Sequence, residues 1–181
     1  MMWLLLAGVW GYSEATLFFI VPDVLLTAMV IRVGYSASLK ACLVCSVSAA
    51  LGGLTMYWFG SGDFDSARTM LEKVPAISSD FFNKVEKDAT RDWYYAVFVG
   101  GISGVPYKIF ATIAGQQALH FWPFFWWSVM TRSIRFFLSA TISACLLRIL
   151  KAAPNASIRP MFVWGLMWFL IYLVYFWIHG W

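Results

Sequence analysis

Apolar residues run through this chain in long stretches, and the places where the stretches break carry most of the information. Residues 41–60 and 161–178 are apolar over close to the ~20 residues that a membrane-crossing helix needs. A long helix is predicted from the aromatic run His120–Trp127 to about Leu150. Residues 1–13 are apolar but too short to cross. Two further stretches, 14–31 and 93–119, are long enough but break at Val21-Pro22 and Val105-Pro106, the second with Gly100, Gly101 and Gly104 just ahead of its proline. Proline lacks a backbone donor and clashes with the preceding helical turn, so neither is one plain helix. Backbone groups freed at membrane depth persist only where protein or a wet cavity receives them. Both stretches are therefore expected to enter and return.

Between these stretches the pattern changes twice. Gly34 to Ser38, flanked by Arg32 and Lys40, reads as a turn. From Gly62 to Asp92 polar residues take over. Asp63 is placed to cap a helix through about Val74, Pro75 to end it, and Ser79-Asp80 to cap a second. In that second helix Phe81, Phe82, Val85, Ala89 and Trp93 share a face. This predicts an amphipathic helical hairpin in water or on the headgroups, with a solvated charged face. The residues Lys151 to Pro160 read as a polar linker, and its Asn155-Ala-Ser157 triplet is a weak glycosylation signal.

Composition makes lipid the solvent. Of 181 residues, 61% are hydrophobic and 12% charged, against ~25% charged in a typical soluble domain. The net charge of +4 hides an asymmetry, because seven of the nine acids lie between Asp63 and Asp92. The eight bases outside that segment are scattered through apolar sequence, which argues against nucleic acid and for anionic lipid. Cys42, Cys45 and Cys145 all lie in apolar runs, so a disulfide framework is not expected. The Cys42-x-x-Cys45 spacing has no partner pair, and Cys42, Ser46, Ala49 and Gly53 recur as a small-residue packing stripe. No basic region precedes the first apolar stretch, so it reads as a retained membrane segment. The two basic loops, around 32–40 and 148–159, tie with the 62–92 segment in positive charge, leaving orientation open.

Five charges remain inside apolar sequence, and each costs on the order of 2.5–3.5 kcal/mol at bilayer depth. Glu14 and Asp23 flank the first break; each can cap or pair to hold the fold, or carry a proton across a low-dielectric site. Lys108 follows Pro106 in the second break, where it can pair with Glu14 or Asp23 or meet an anionic substrate beside loose helix ends. Arg132 and Arg135 lie on a polar stripe of the long helix with Ser128, Ser139 and Ser143. Guanidinium forks there suit phosphate, while snorkelling or structural pairing is the plainer use. No metal cluster, nucleotide loop, nucleophile–base pair or cofactor motif is present, so the sequence offers no support for an enzyme.

In order and spacing these elements resemble the DedA superfamily of SNARE-associated, VTT-domain membrane proteins, and especially its small YqaA-like branch. The resemblance covers about residues 8–148. It rests on Glu14 to Val21-Pro22-Asp23-Val24-Leu25-Leu26, then Leu51-Gly52-Gly53-Leu54-Thr55-Met56-Tyr57-Trp58-Phe59-Gly60. It continues with Gly104-Val105-Pro106-Tyr107-Lys108-Ile109-Phe110 to Ala114-Gly115, and a helix bearing Arg132 and Arg135. It implies an all-α, multi-pass protein of the bacterial inner membrane, with two inverted units that each pair a re-entrant hairpin with a spanning helix. It also implies movement of polyprenyl phosphates or phospholipids between leaflets, in some members coupled to protons. Glu14 and Asp23 match the acidic pair of the first hairpin. Many members carry two arginines around the proline of the second; here Tyr107-Lys108 stands at one position and Gly101 or a neighbour at the other. Either Lys108, with Arg132 and Arg135, replaces that pair as the anion-binding set around the breaks at Pro22, Gly104 and Pro106, or this branch handles a different substrate. The span 161–178 lies beyond the shared core. A small-ion or metabolite transporter and a non-transporting scaffold are the alternatives, and a homo-oligomer is compatible with any of the three.

Overall fold

The computed structural model describes residues 1–152 and 159–179, the side chains of Ala152 and His179 excepted. Most of the 151–160 linker, with its Asn155-Ala-Ser157 triplet, lies outside the described residues. Those described form an all-helical fold without strands: α1 (Met2–Thr16), α2 (Asp23–Arg32), α3 (Tyr35–Gly62), α4 (Phe64–Leu71), α5 (Ser79–Arg91), α6 (Trp93–Ser103), α7 (Tyr107–Gln116), α8 (Phe121–Ala152) and α9 (Pro160–His179).

Three helices are long and apolar enough to cross a membrane: α3, α8 and α9. The expected turn at 34–38 shrinks to Gly34, whose φ of 95° suits glycine, and α3 starts at Tyr35. Both proline-broken stretches are pairs of short helices. At 15 and 10 residues, α1 and α2 are about 22 and 15 Å long, and α6 and α7, at 11 and 10 residues, are similarly short. None reaches the ~30 Å of a hydrocarbon core. The first break is the segment 17–22; the second is 104–106, where Gly104 turns the chain at a φ of 89°.

The packing crosses over between the halves. Each pair is followed by a long helix, α3 after α1–α2 in chain order and α8 after α6–α7. The first arm of each pair packs on its own long helix, α1 on α3 and α6 on α8. The second arms also reach across, α2 onto α8 and α7 onto α3. Close approach is made possible by small residues on α3 and α7. A side chain at Gly52 would meet the Tyr12 carbonyl, one at Gly60 the Thr112 carbonyl, and one at Gly115 the Tyr57 carbonyl. The predicted stripe serves packing as well: Cys42, Ser46 and Ala49 are buried, and a side chain at Gly53 would meet the Tyr107 ring. Cys45, beside the stripe, is buried against Gly11.

The polar segment folds as the expected hairpin with shifted ends. Asp63 caps α4, its carboxylate accepting from the Ser66 N–H at 3.0 Å. That helix stops at Leu71 instead of reaching Val74, and Ala76 takes a positive φ of 65°. Ser78, not Ser79-Asp80, caps α5 by accepting from the Phe81 N–H. Phe82, Val85 and Ala89 form the buried face of α5. The loop between the helices turns inward, burying Val74 and Ile77 against the core.

Candidate functional site

The first break shows where its freed backbone groups go. The Phe18 carbonyl accepts from Lys108 Nζ at 2.8 Å, and the Ile20 carbonyl accepts from the Trp10 indole at 2.9 Å. The Val21 N–H, just before Pro22, donates to the Tyr172 hydroxyl at 2.9 Å. Three elements, α7, α1 and α9, thus satisfy one irregular segment, which is the condition for such backbone to lie away from water. Lys108 stands in the first turn of α7, where a helix end disfavours a cation. The Phe18 carbonyl compensates for that position.

The second break is simpler. Gly104 ends α6 in the left-handed conformation, and the Val105 N–H returns to the Gly100 carbonyl at 3.0 Å. Gly100 leaves room for the Phe110 ring, and Gly53 on α3 leaves room for the Tyr107 ring.

Both acids of the first break meet arginines of α8, Arg132 and Arg135. Glu14 and Arg132 form a buried ion pair, and the guanidinium lies 5.0 Å from the Tyr107 ring centre and 5.1 Å from that of Phe136. Asp23 is buried at the start of α2, where the helix end favours its charge. It accepts from the Ser139 hydroxyl at 2.6 Å and pairs with Arg135 at 3.0 Å. The spacing of Arg132, Arg135 and Ser139 on one face of α8 places these contacts side by side. Lys108 takes part in no ion pair among the described residues, so the carboxylate partner considered for it is replaced by a backbone carbonyl.

A cavity of about 320 Å³ lies between these groups. Glu14, Asp23, Lys108 and Arg135 are on its wall, with Gly104 and Pro106 from the second break and Val21 from the first. Pro22 is buried behind the wall, and Arg132 is buried behind it with its pair. The structure thus gathers the predicted residues around one space but divides them, four charged groups facing it and Arg132 set back. Formally the five charges leave one positive excess. Ile102, Ile134, Leu138, Ile142 and Ile171 also line the cavity, and each is exposed on the apolar outer surface. The mouth is therefore apolar, and the charge is inside. Among the described residues, no three His, Cys, Asp or Glu side chains gather as a metal site.

Sequence reasoning found α9 as a span but missed its part in the site. Its Trp164 and Trp168 indoles both donate to the Thr27 hydroxyl at 3.0 Å, and Thr27 in turn donates to the Asp23 carbonyl at 2.6 Å. Tyr172 holds the first break, while Trp168, Tyr172 and Tyr175 close one side of the cavity. The signal was present. Trp164, Trp168, Tyr172 and Tyr175 repeat at helical spacing in mid-span, away from the interfaces where such residues usually gather.

The comparisons with known proteins fit this arrangement. Residues 20–144 match the VTT domain, which is most of the chain. The chain belongs to the VTT-domain family. With its three long apolar helices, this VTT-domain protein is a multi-pass membrane protein. It is also 28% identical over 134 residues to an uncharacterized protein of Haemophilus influenzae, a match covering 74% of this chain and 68% of the relative. No solved structure matches. The VTT match begins after Glu14 and ends before α9, so Glu14 and the α9 residues line the cavity from outside the matched segment. The match is to the family as a whole, and the YqaA-like branch rests on the resemblance described above.

Proposed function

We propose that this VTT-domain protein moves an anionic, phosphate-bearing lipid, such as a polyprenyl phosphate or a phospholipid, between bilayer leaflets. The observation carrying this reading is the cavity, charged within and apolar at its mouth. A free ion needs no apolar entrance, whereas an amphiphile needs both parts. In this reading the broken pairs α1–α2 and α6–α7 are re-entrant hairpins of two inverted units, with 8–148 as the transport core and α9 as an added wall. The setting is the bacterial inner membrane, where the YqaA-like branch would place it.

Lys108 and Arg135 receive the phosphate. Arg135 is already engaged by Asp23, so an incoming phosphate competes with that carboxylate. Protonating Asp23 releases Arg135, which links proton uptake to headgroup binding. Glu14 is the second proton-carrying group, and its discharge loosens Arg132. The pair can therefore serve as a lock between two facings of the cavity.

The test is leaflet exchange of a fluorescent phosphatidic acid in proteoliposomes. Arg135→Gln is expected to slow exchange about tenfold or more, the scale of one lost charge-assisted contact. Asp23→Asn is expected to remove any dependence on an imposed proton gradient. Full exchange in folded Arg135→Gln protein overturns the headgroup role. Equal competition by soluble inorganic phosphate favours the small-anion reading instead, and absence of exchange by wild type favours the scaffold.

A further inference from the structure

The cavity does not end at Arg135. A second cleft of about 220 Å³ runs between α8 and α9, lined by Ser143, Leu146, Leu147 and Leu150 on one side and by Val163 and Met167 on the other. The two spaces share Ser139, Ile142, Trp168 and Ile171 as walls, so they adjoin. Together they reach the ~300–1,000 Å³ of ordinary ligand sites.

Thr27 and Ser139, two polar side chains bordering the cleft, are already engaged. The Thr27 hydroxyl donates to the Asp23 carbonyl and receives the Trp164 and Trp168 indoles. Ser139 donates to the Asp23 carboxylate. What is left facing the space is chiefly Leu, Ile, Val and Met. From Ser139 to Leu150 the cleft follows α8 for about 16 Å, close to the ~15 Å depth of one leaflet's hydrocarbon. Its Ser139 end adjoins the cavity that holds Arg135, and its apolar end is about one leaflet's depth away.

We infer that the α8–α9 cleft is a slot for one hydrocarbon chain of the phosphate-bearing amphiphile whose headgroup occupies the charged cavity. This rests on the proposed function for the headgroup, and it assigns to α9 the role of outer wall of the chain site. Any groove on a membrane protein collects lipid tails. What singles this one out is that it shares four wall residues with a charged chamber. The slot therefore prefers a chain attached to a phosphate over the same chain without one.

The experiment uses the full chain in vesicles of neutral phosphatidylcholine. These are doped with either of two probes carrying the same diazirine-bearing acyl chains, phosphatidic acid or diacylglycerol. After illumination, cross-linked peptides are mapped. Phosphatidic acid is expected to label the segment around Leu146, Leu147, Val163 and Met167 at least several-fold more than diacylglycerol does. Leu146→Trp with Val163→Trp, checked for folding by gel filtration, is expected to erase that excess. Equal labelling of wild type by the two probes overturns the slot, and needs no variant. If labelling is equal but exchange still depends on Arg135, the headgroup reading survives without the slot. If phosphatidic acid labels preferentially but exchange is unchanged in Arg135→Gln, the slot stands as a binding site and the headgroup role of Arg135 falls.

Discussion

Lys108, one residue into the helix that follows the second break, donates its ammonium to the Phe18 carbonyl of the first break, at 2.8 Å. One side chain thus joins the two irregular segments and also faces the charged cavity. The two duties separate by substitution. Lys108→Gln keeps a donor near Phe18 and loses the charge, while Lys108→Met loses both. If charge is what the cavity requires, both variants slow phosphatidic acid exchange about tenfold, while Gln melts closer to wild type than Met. Exchange restored fully by Gln would reduce Lys108 to a backbone cap.

Glu14 on the cavity wall and Arg132 behind it form a buried pair. Removing one partner, as in Glu14→Ala or Arg132→Ala, leaves an uncompensated buried charge and is expected to cost about 3–5 kcal/mol. Glu14→Leu with Arg132→Met removes both charges and is expected to recover much of that loss. Equilibrium unfolding in mixed micelles reads the difference. A double variant as unstable as the singles would show that the pair does not act as a unit.

Tyr172 reaches from α9 to the Val21 N–H. Tyr172→Phe removes only the hydroxyl and is expected to cost about 1 kcal/mol, with exchange of the Val21 amide quickening roughly fivefold. Unchanged protection at Val21 would mean that α9 does not hold the first break.

Gly115 on α7 faces the Tyr57 carbonyl of α3, with no room for a methyl group. Gly115→Ala is expected to destabilise by about 1–3 kcal/mol through overpacking. Gly101→Ala, where nothing lies within 4 Å of the added carbon, is the matched control and is expected to be near neutral. Equal melting temperatures for the two variants would rule out the close α3–α7 contact.

Asp63, outside the spanning helices, has its carboxyl held below the ordinary value of 3.8 by the Ser66 hydroxyl and the Ser66 N–H. Folding favours the charged form, so the cap's contribution is complete above the unfolded pKa and fades as pH falls through the lower folded value. Protection of the Ser66 amide, corrected for intrinsic exchange, is expected to drop below pH ~4 in wild type. It should stay level in Asp63→Asn, which caps without titrating.

Much of this arrangement was readable before any coordinates. Pro22 and Pro106 announced the breaks because proline forbids the helix that the apolar pattern otherwise demands. Arg132, Arg135 and Ser139 announced a polar face because no plain apolar helix needs one. What stayed hidden was partnership. Glu14 finds Arg132 across 118 residues, and no local spacing encodes such a distance. Lys108 finds a main-chain carbonyl, which leaves no mark on the sequence at all. The helix α9 looked like a plain span because its hydrogen-bonding groups are aromatic and count as apolar.

The crossing-over of the second arms bears on biosynthesis. When α1 to α3 leave the ribosome, neither Glu14 nor Asp23 has its arginine, and the Phe18 carbonyl has no lysine, because those residues are still to be translated. The first half cannot settle as a finished unit. Its acids must wait, hydrated at the interface or shielded by the insertion machinery, until α8 arrives to receive them. The pairing of these charges is therefore completed late, when the eighth helix joins the first half.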